Sequence, residues 1–124
     1  MKILIFGGSG FLGKNLALQL CKKHKVTIFD RKNFQTSSKK NIKFIKGNIL
    51  NYDQVLKATR NQQVVYNFAG ISDIGEAMSQ PILTTKVNIL GSIYTLEAAV
   101  KCKIKRYIFA SSIYVLSRQG GFYK

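Results

Sequence analysis

The chain has 124 residues, 46% of them hydrophobic, with ten glycines and one proline, which suits one packed α/β core and excludes a second domain or a disordered chain. Twenty Lys and Arg against five acids give a formal net charge of +15, but the basic residues are scattered from Lys2 to Lys124 without a long run, so a nucleic-acid partner is disfavoured. No apolar stretch approaches the ~20 residues that cross a bilayer, and Cys21 and Cys102 show neither metal spacing nor a CxxC pair, which argues against a membrane protein, a zinc site and a disulfide scaffold.

Strand and helix patterns alternate from the first residue. Lys2 to Phe6 is a short apolar run bounded by glycine, as expected of a strand buried on both faces and not of a signal peptide, so a cytoplasmic chain is expected. Phe11, Leu12, Leu16, Leu20 and Cys21 then recur at helical spacing, with Lys14, Asn15, Gln19 and Lys22 turned outward. Val26 to Phe29 reads as a second strand ending at Asp30, and the polar stretch from Arg31 to Asn41 as a surface loop. Ile42 to Ile45 is a third strand, Asn51 to Thr59 a short helix and Val64 to Phe68 a fourth strand. An irregular loop is expected after Gly70. A long helix then runs from Pro81 to Cys102, with Leu83, Val87, Leu90, Tyr94 and the Ala98-Ala99 pair as its buried side, and Arg106 to Ala110 is the fifth strand. This alternation implies a Rossmann-type parallel sheet, most simply in the order 3-2-1-4-5.

Between the first strand and first helix stands Gly7-Gly8-Ser9-Gly10-Phe11-Leu12-Gly13. A glycine pattern alone is weak, but a strand before it and an amphipathic helix after it are the setting of a dinucleotide fingerprint. In that setting Gly7 permits the tight turn, Gly10 lets the backbone approach a pyrophosphate, and Gly13 lets the helix pack close to the sheet. The helix amino terminus offers N–H groups to the phosphates. Asp30, ending the second strand, is placed to accept bonds from the adenosine ribose and to repel the extra phosphate of NADP. Arg31 and Lys32 soften that repulsion, so NAD is favoured and NADP stays open. No Lys-Ser or Lys-Thr pair follows the glycines, which argues against a Walker-type site.

With these residues in view, the sequence resembles the NAD-dependent epimerase/dehydratase branch of the extended short-chain dehydrogenase/reductases. Gly7, Gly10 and Gly13 match that family's loop, and Phe11 and Leu12 fall within it. Gly47-Asn48-Ile49 matches a Gly-Asp pair whose acid lies near the adenine, with Asn48 in place of the Asp. Asn67-Phe68-Ala69-Gly70 is similar to the segment lying along the cofactor, and Lys86 to Gly91, continuing to Leu96-Glu97-Ala98-Ala99, to the long helix with its Asn, here Asn88. The resemblance thus implies cofactor contacts at Gly7, Gly10, Phe11, Leu12, Gly13, Asp30, Arg31, Asn48, Ile49, Phe68, Ala69, Gly70 and Asn88.

Lys105 to Ser112 resembles the strand that delivers a catalytic Ser, here Ser112, with Ser111 the alternative. The family's Tyr-x-x-x-Lys motif would use Tyr123, its Lys lying beyond Lys124; Tyr114 is the rival, but Arg118 stands where its Lys should be. The resemblance therefore implies that residues 1–124 are an incomplete NAD(P)-binding Rossmann domain, truncated before the remaining strands and a C-terminal substrate domain. The implied activity is hydride transfer on a nucleotide-sugar; the alternatives are a non-catalytic NAD(P)-binding or sensing module and an inactive remnant. The unpaired fifth strand and the apolar face left uncovered lead to an expectation of self-association, so a homo-oligomer stays open.

Overall fold

The computed structural model describes residues 1–35 and 40–112. Its elements follow in the order β1 Lys2–Phe6, α1 Phe11–Leu20, β2 Lys25–Asp30, β3 Ile42–Lys46, α2 Tyr52–Thr59, β4 Val64–Asn67, α3 Ile74–Ser79, α4 Pro81–Thr85, a π-helical stretch Lys86–Gly91, α5 Ser92–Lys101 and β5 Arg106–Phe109. The five strands form one parallel sheet in the order β3-β2-β1-β4-β5, as the alternating pattern predicts.

The apolar run of β1 explains its central place. Ile3, Leu4, Ile5 and Phe6 are all buried, and successive side chains point to opposite faces. Leu4 and Phe6 join Phe29, Val55, Val65 and Ala98 in a core beneath α2 and α5. Ile3 and Ile5 join Val26, Ile28, Val64, Ala17 and Cys21 in a second core beneath α1, so Cys21 is a small core side chain. The Phe6 and Phe29 rings meet edge-on at 5.3 Å, and the Tyr52 and Tyr94 rings, also 5.3 Å apart, join α2 to α5. Burying each large apolar side chain contributes about 1.5–3 kcal/mol.

Two features depart from the sequence expectation. The loop expected after Gly70 contains α3, capped by Asp73, whose Oδ1 accepts the Glu76 N–H at 2.7 Å. The long helix is not uniform, because residues 86–91 widen into a π turn. That wider turn rotates the helix below it, so Gly91 and Thr95 face inward and Leu90 is 37% exposed. Ile89, Ile93, Leu96 and Val100 stand on the outer side. Among the described residues no helix is long and apolar enough to cross a membrane.

The register brings Phe6 beside Phe29 and Asn67, Asp30 beside Lys46, and Asn67 beside Phe109. All the carboxyl ends thus share one edge. The chain leaves β1 toward β2 on one side and returns as β4 on the other, which opens a crevice between the loops after β1 and β4.

Candidate functional site

The loop after β1 is built by close backbone approach. Gly7 has φ 74°, a region open to glycine and rarely to other residues. A Cβ there would also stand 2.6 Å from Ala69 N and Phe68 C. Gly13 lies so close to the loop that a Cβ would come within 2.4 Å of Gly7 O. Gly10 differs, since a Cβ there meets only Gly7 O, at 3.3 Å. Gly10 is the N-cap of α1 and no side chain caps the helix, which leaves its first N–H groups to an outside acceptor. Phe11 and Leu12 begin α1 and are 84% and 61% exposed.

Asp30 is held in place by backbone N–H groups. Its Oδ2 accepts the Ser9 N–H at 2.9 Å and its Oδ1 accepts the Lys32 N–H at 2.9 Å, while the Ser9 hydroxyl donates to Lys32 O at 2.9 Å. An ionised carboxylate has about four acceptor sites, so each oxygen keeps one. The Ser9 link between glycine loop and acid is absent from the sequence reading, because only the fold brings the two together.

Gly7, Gly10, Asp30, Arg31, Asn48, Ile49, Phe68, Ala69 and Gly70 line a single open cavity of about 210 Å³, together with Phe29, Lys32, Gly47, Leu50, Ile71, Glu76, Leu83 and Val87. Asn48 accepts the Leu50 N–H on Oδ1 at 2.9 Å, which leaves its amide NH2 as a donor. Arg31 reaches Glu76 on the facing helix, with Nη2 and Oε1 4.0 Å apart. Glu76 escaped the sequence reading, although Asp73-x-x-Glu76 is a legible capping pattern.

The turn Phe68-Ala69-Gly70 is fixed from below by a buried polar network. Asn67 accepts the Ala69 N–H on Oδ1 at 3.2 Å. Its amide nitrogen lies 3.1 Å from both Thr95 Oγ1 and the Tyr107 hydroxyl, which are 2.8 Å apart. Asn88 spends both ends of its amide on one residue, accepting from Ile71 N at 2.8 Å and donating to Ile71 O at 2.9 Å. It lies outside the cavity lining and bears on it through Ile71. Ser111 and Ser112 follow the carboxyl end of β5, at the same edge of the sheet but outside this lining. Tyr123 and its rival Tyr114 lie outside the described residues.

Comparison with known proteins gives consistent matches. The model of the NAD dependent epimerase/dehydratase family matches residues 3–121. A dTDP-D-glucose 4,6-dehydratase of Dictyostelium discoideum is 32% identical, over 90% of this chain and 29% of its own length. A UDP-glucose 4-epimerase of Klebsiella pneumoniae is 29% identical, over 96% of this chain and 94% of its own. Among solved structures, an epimerase of Methanothermobacter thermautotrophicus is 30% identical with a TM-score of 0.82, covering 90% of this chain and 35% of that one. The chain thus spans about a third of the dehydratase and of the solved epimerase.

Proposed function

Because the chain belongs to the NAD dependent epimerase/dehydratase family, we propose that it forms the NAD-holding part of an enzyme acting on a nucleotide-sugar by hydride transfer. One observation carries the reading: a glycine loop and an uncapped helix amino end meet a clamped aspartate at the crevice of a parallel sheet. The residues present fit the dinucleotide. Gly10 leaves backbone open where a side chain would stand, and the free α1 N–H groups suit a pyrophosphate. Asp30 keeps two acceptor sites for ribose hydroxyls. Ile49 and the turn Phe68-Ala69-Gly70 supply apolar wall for the adenosine half, and Asn48 offers its amide donor to the base. The cavity is smaller than the ~300–1,000 Å³ of a whole ligand site, in keeping with one half of a dinucleotide.

Bound NAD supplies the hydride acceptor. Ser112 is the residue proposed to hydrogen-bond the reacting sugar oxygen, and Tyr123 the one proposed to take the hydroxyl proton. The nucleotide-sugar class is supported by the relatives, a dehydratase of dTDP-D-glucose and an epimerase of UDP-glucose.

Amide chemical-shift mapping tests the proposed site directly on the 13.9 kDa chain. NAD should move the amides of Gly8 to Gly13, Asp30 to Lys32, and Asn48. Shifts confined to the opposite, amino-terminal edge of the sheet would contradict the reading.

A further inference from the structure

Acids are scarce in this chain, five among 124 residues with a net charge of +15, yet two of them, Asp30 and Glu76, line the same cavity. A third, Asp73, caps the short helix that carries Glu76 by accepting its backbone N–H. Glu76 faces Arg31, the residue directly after the ribose-side aspartate, with their charged atoms 4.0 Å apart and both side chains partly exposed, 58% and 40%. Arg31 and Lys32 both line the cavity, and of the two Arg31 can take the extra phosphate of NADP through two parallel hydrogen bonds, which a lysine ammonium cannot make.

We infer that Glu76 is a specificity-determining residue, which ties down Arg31 and turns the ribose end of the cavity against the 2′-phosphate of NADP. The inference rests on the NAD reading above and adds to it a residue from a different element. With Arg31 occupied, a phosphate carrying about two negative charges meets the carboxylates of both Asp30 and Glu76. To bind through Arg31, it must displace Glu76 from the guanidinium, while Asp30 stays clamped on the Ser9 and Lys32 N–H groups. NAD carries no charge at that position and is indifferent to the pair. The strong positive charge of the chain as a whole favours NADP, so discrimination has to be local.

Calorimetric titration of NAD and NADP into the full chain tests this, using wild type, Glu76→Gln and the double variant Glu76→Gln/Arg31→Leu. Asp73 caps through the Glu76 backbone, so the glutamine keeps α3. In Glu76→Gln the affinity for NADP relative to NAD should rise by up to ~5-fold, the worth of one exposed ion pair, with NAD affinity nearly unchanged. The gain should vanish in the double variant and shrink in high salt. NAD binding with an unchanged cofactor ratio in Glu76→Gln would overturn the inference and leave the NAD reading standing. A gain that persists without Arg31 would overturn the tether. Failure of the folded wild-type chain to bind either cofactor would overturn the NAD reading, and the inference with it.

Discussion

At Gly7 the backbone turns through a positive φ of 74° against the turn after β4, whereas at Gly10 a methyl group would meet one atom at 3.3 Å. The two glycines should therefore answer differently to the same substitution. Gly7→Ala places a Cβ in strained backbone and 2.6 Å from Ala69 N, and should cost about 2–4 kcal/mol, read as a shift of the urea midpoint. Gly10→Ala should stay within about 1 kcal/mol of wild type in the same measurement. The spacing of the glycines was legible in the sequence, and so was Asp30. What presses on Gly7 and what clamps Asp30 were not, because they depend on Ala69 arriving from the neighbouring strand β4 and on Ser9 reaching the Asp30 carboxylate.

The end of β4 is where separate elements hold the cavity wall. Tyr107 on β5 and Thr95 on α5 both reach Asn67, whose Oδ1 fixes the Ala69 N–H. Tyr107→Phe removes a hydroxyl from a buried network and should destabilise the fold by about 1–2 kcal/mol, measurable by thermal melting. Asn88→Ala frees the backbone of Ile71, and should weaken NAD binding several-fold while the melting temperature falls little. An equal loss of NAD affinity from a distant control such as Lys22→Ala would show the effect to be nonspecific. Element type was readable here from apolar periodicity for β4, β5 and the long helix, but not for α3, whose Asp73 cap went unread. The π turn was not, since Lys86 to Gly91 carries no proline and a lone glycine, Gly91, does not specify the kind of turn, and it is the reason Thr95 rather than Leu90 faces the core.

For the molecule as a whole, the alternation of strands and helices was enough to order the sheet, and that order brings residues 7, 30, 48 and 70 to one edge. The proposed chemistry lies beyond this cavity, at Ser112 and Tyr123. In the enzyme proposed to contain these residues, Tyr123→Phe should abolish most sugar-dependent NAD reduction and leave NAD affinity unchanged; retained turnover would misplace the tyrosine. The central claim is that the edge holds a dinucleotide, and calorimetric titration of NAD into the folded chain, beside Gly10→Val, tests it most directly. The account predicts saturable binding at one site by wild type and none by Gly10→Val, whose unfolding midpoint stays close to that of wild type. Equal binding by both proteins, or none by a folded wild-type chain, would contradict it.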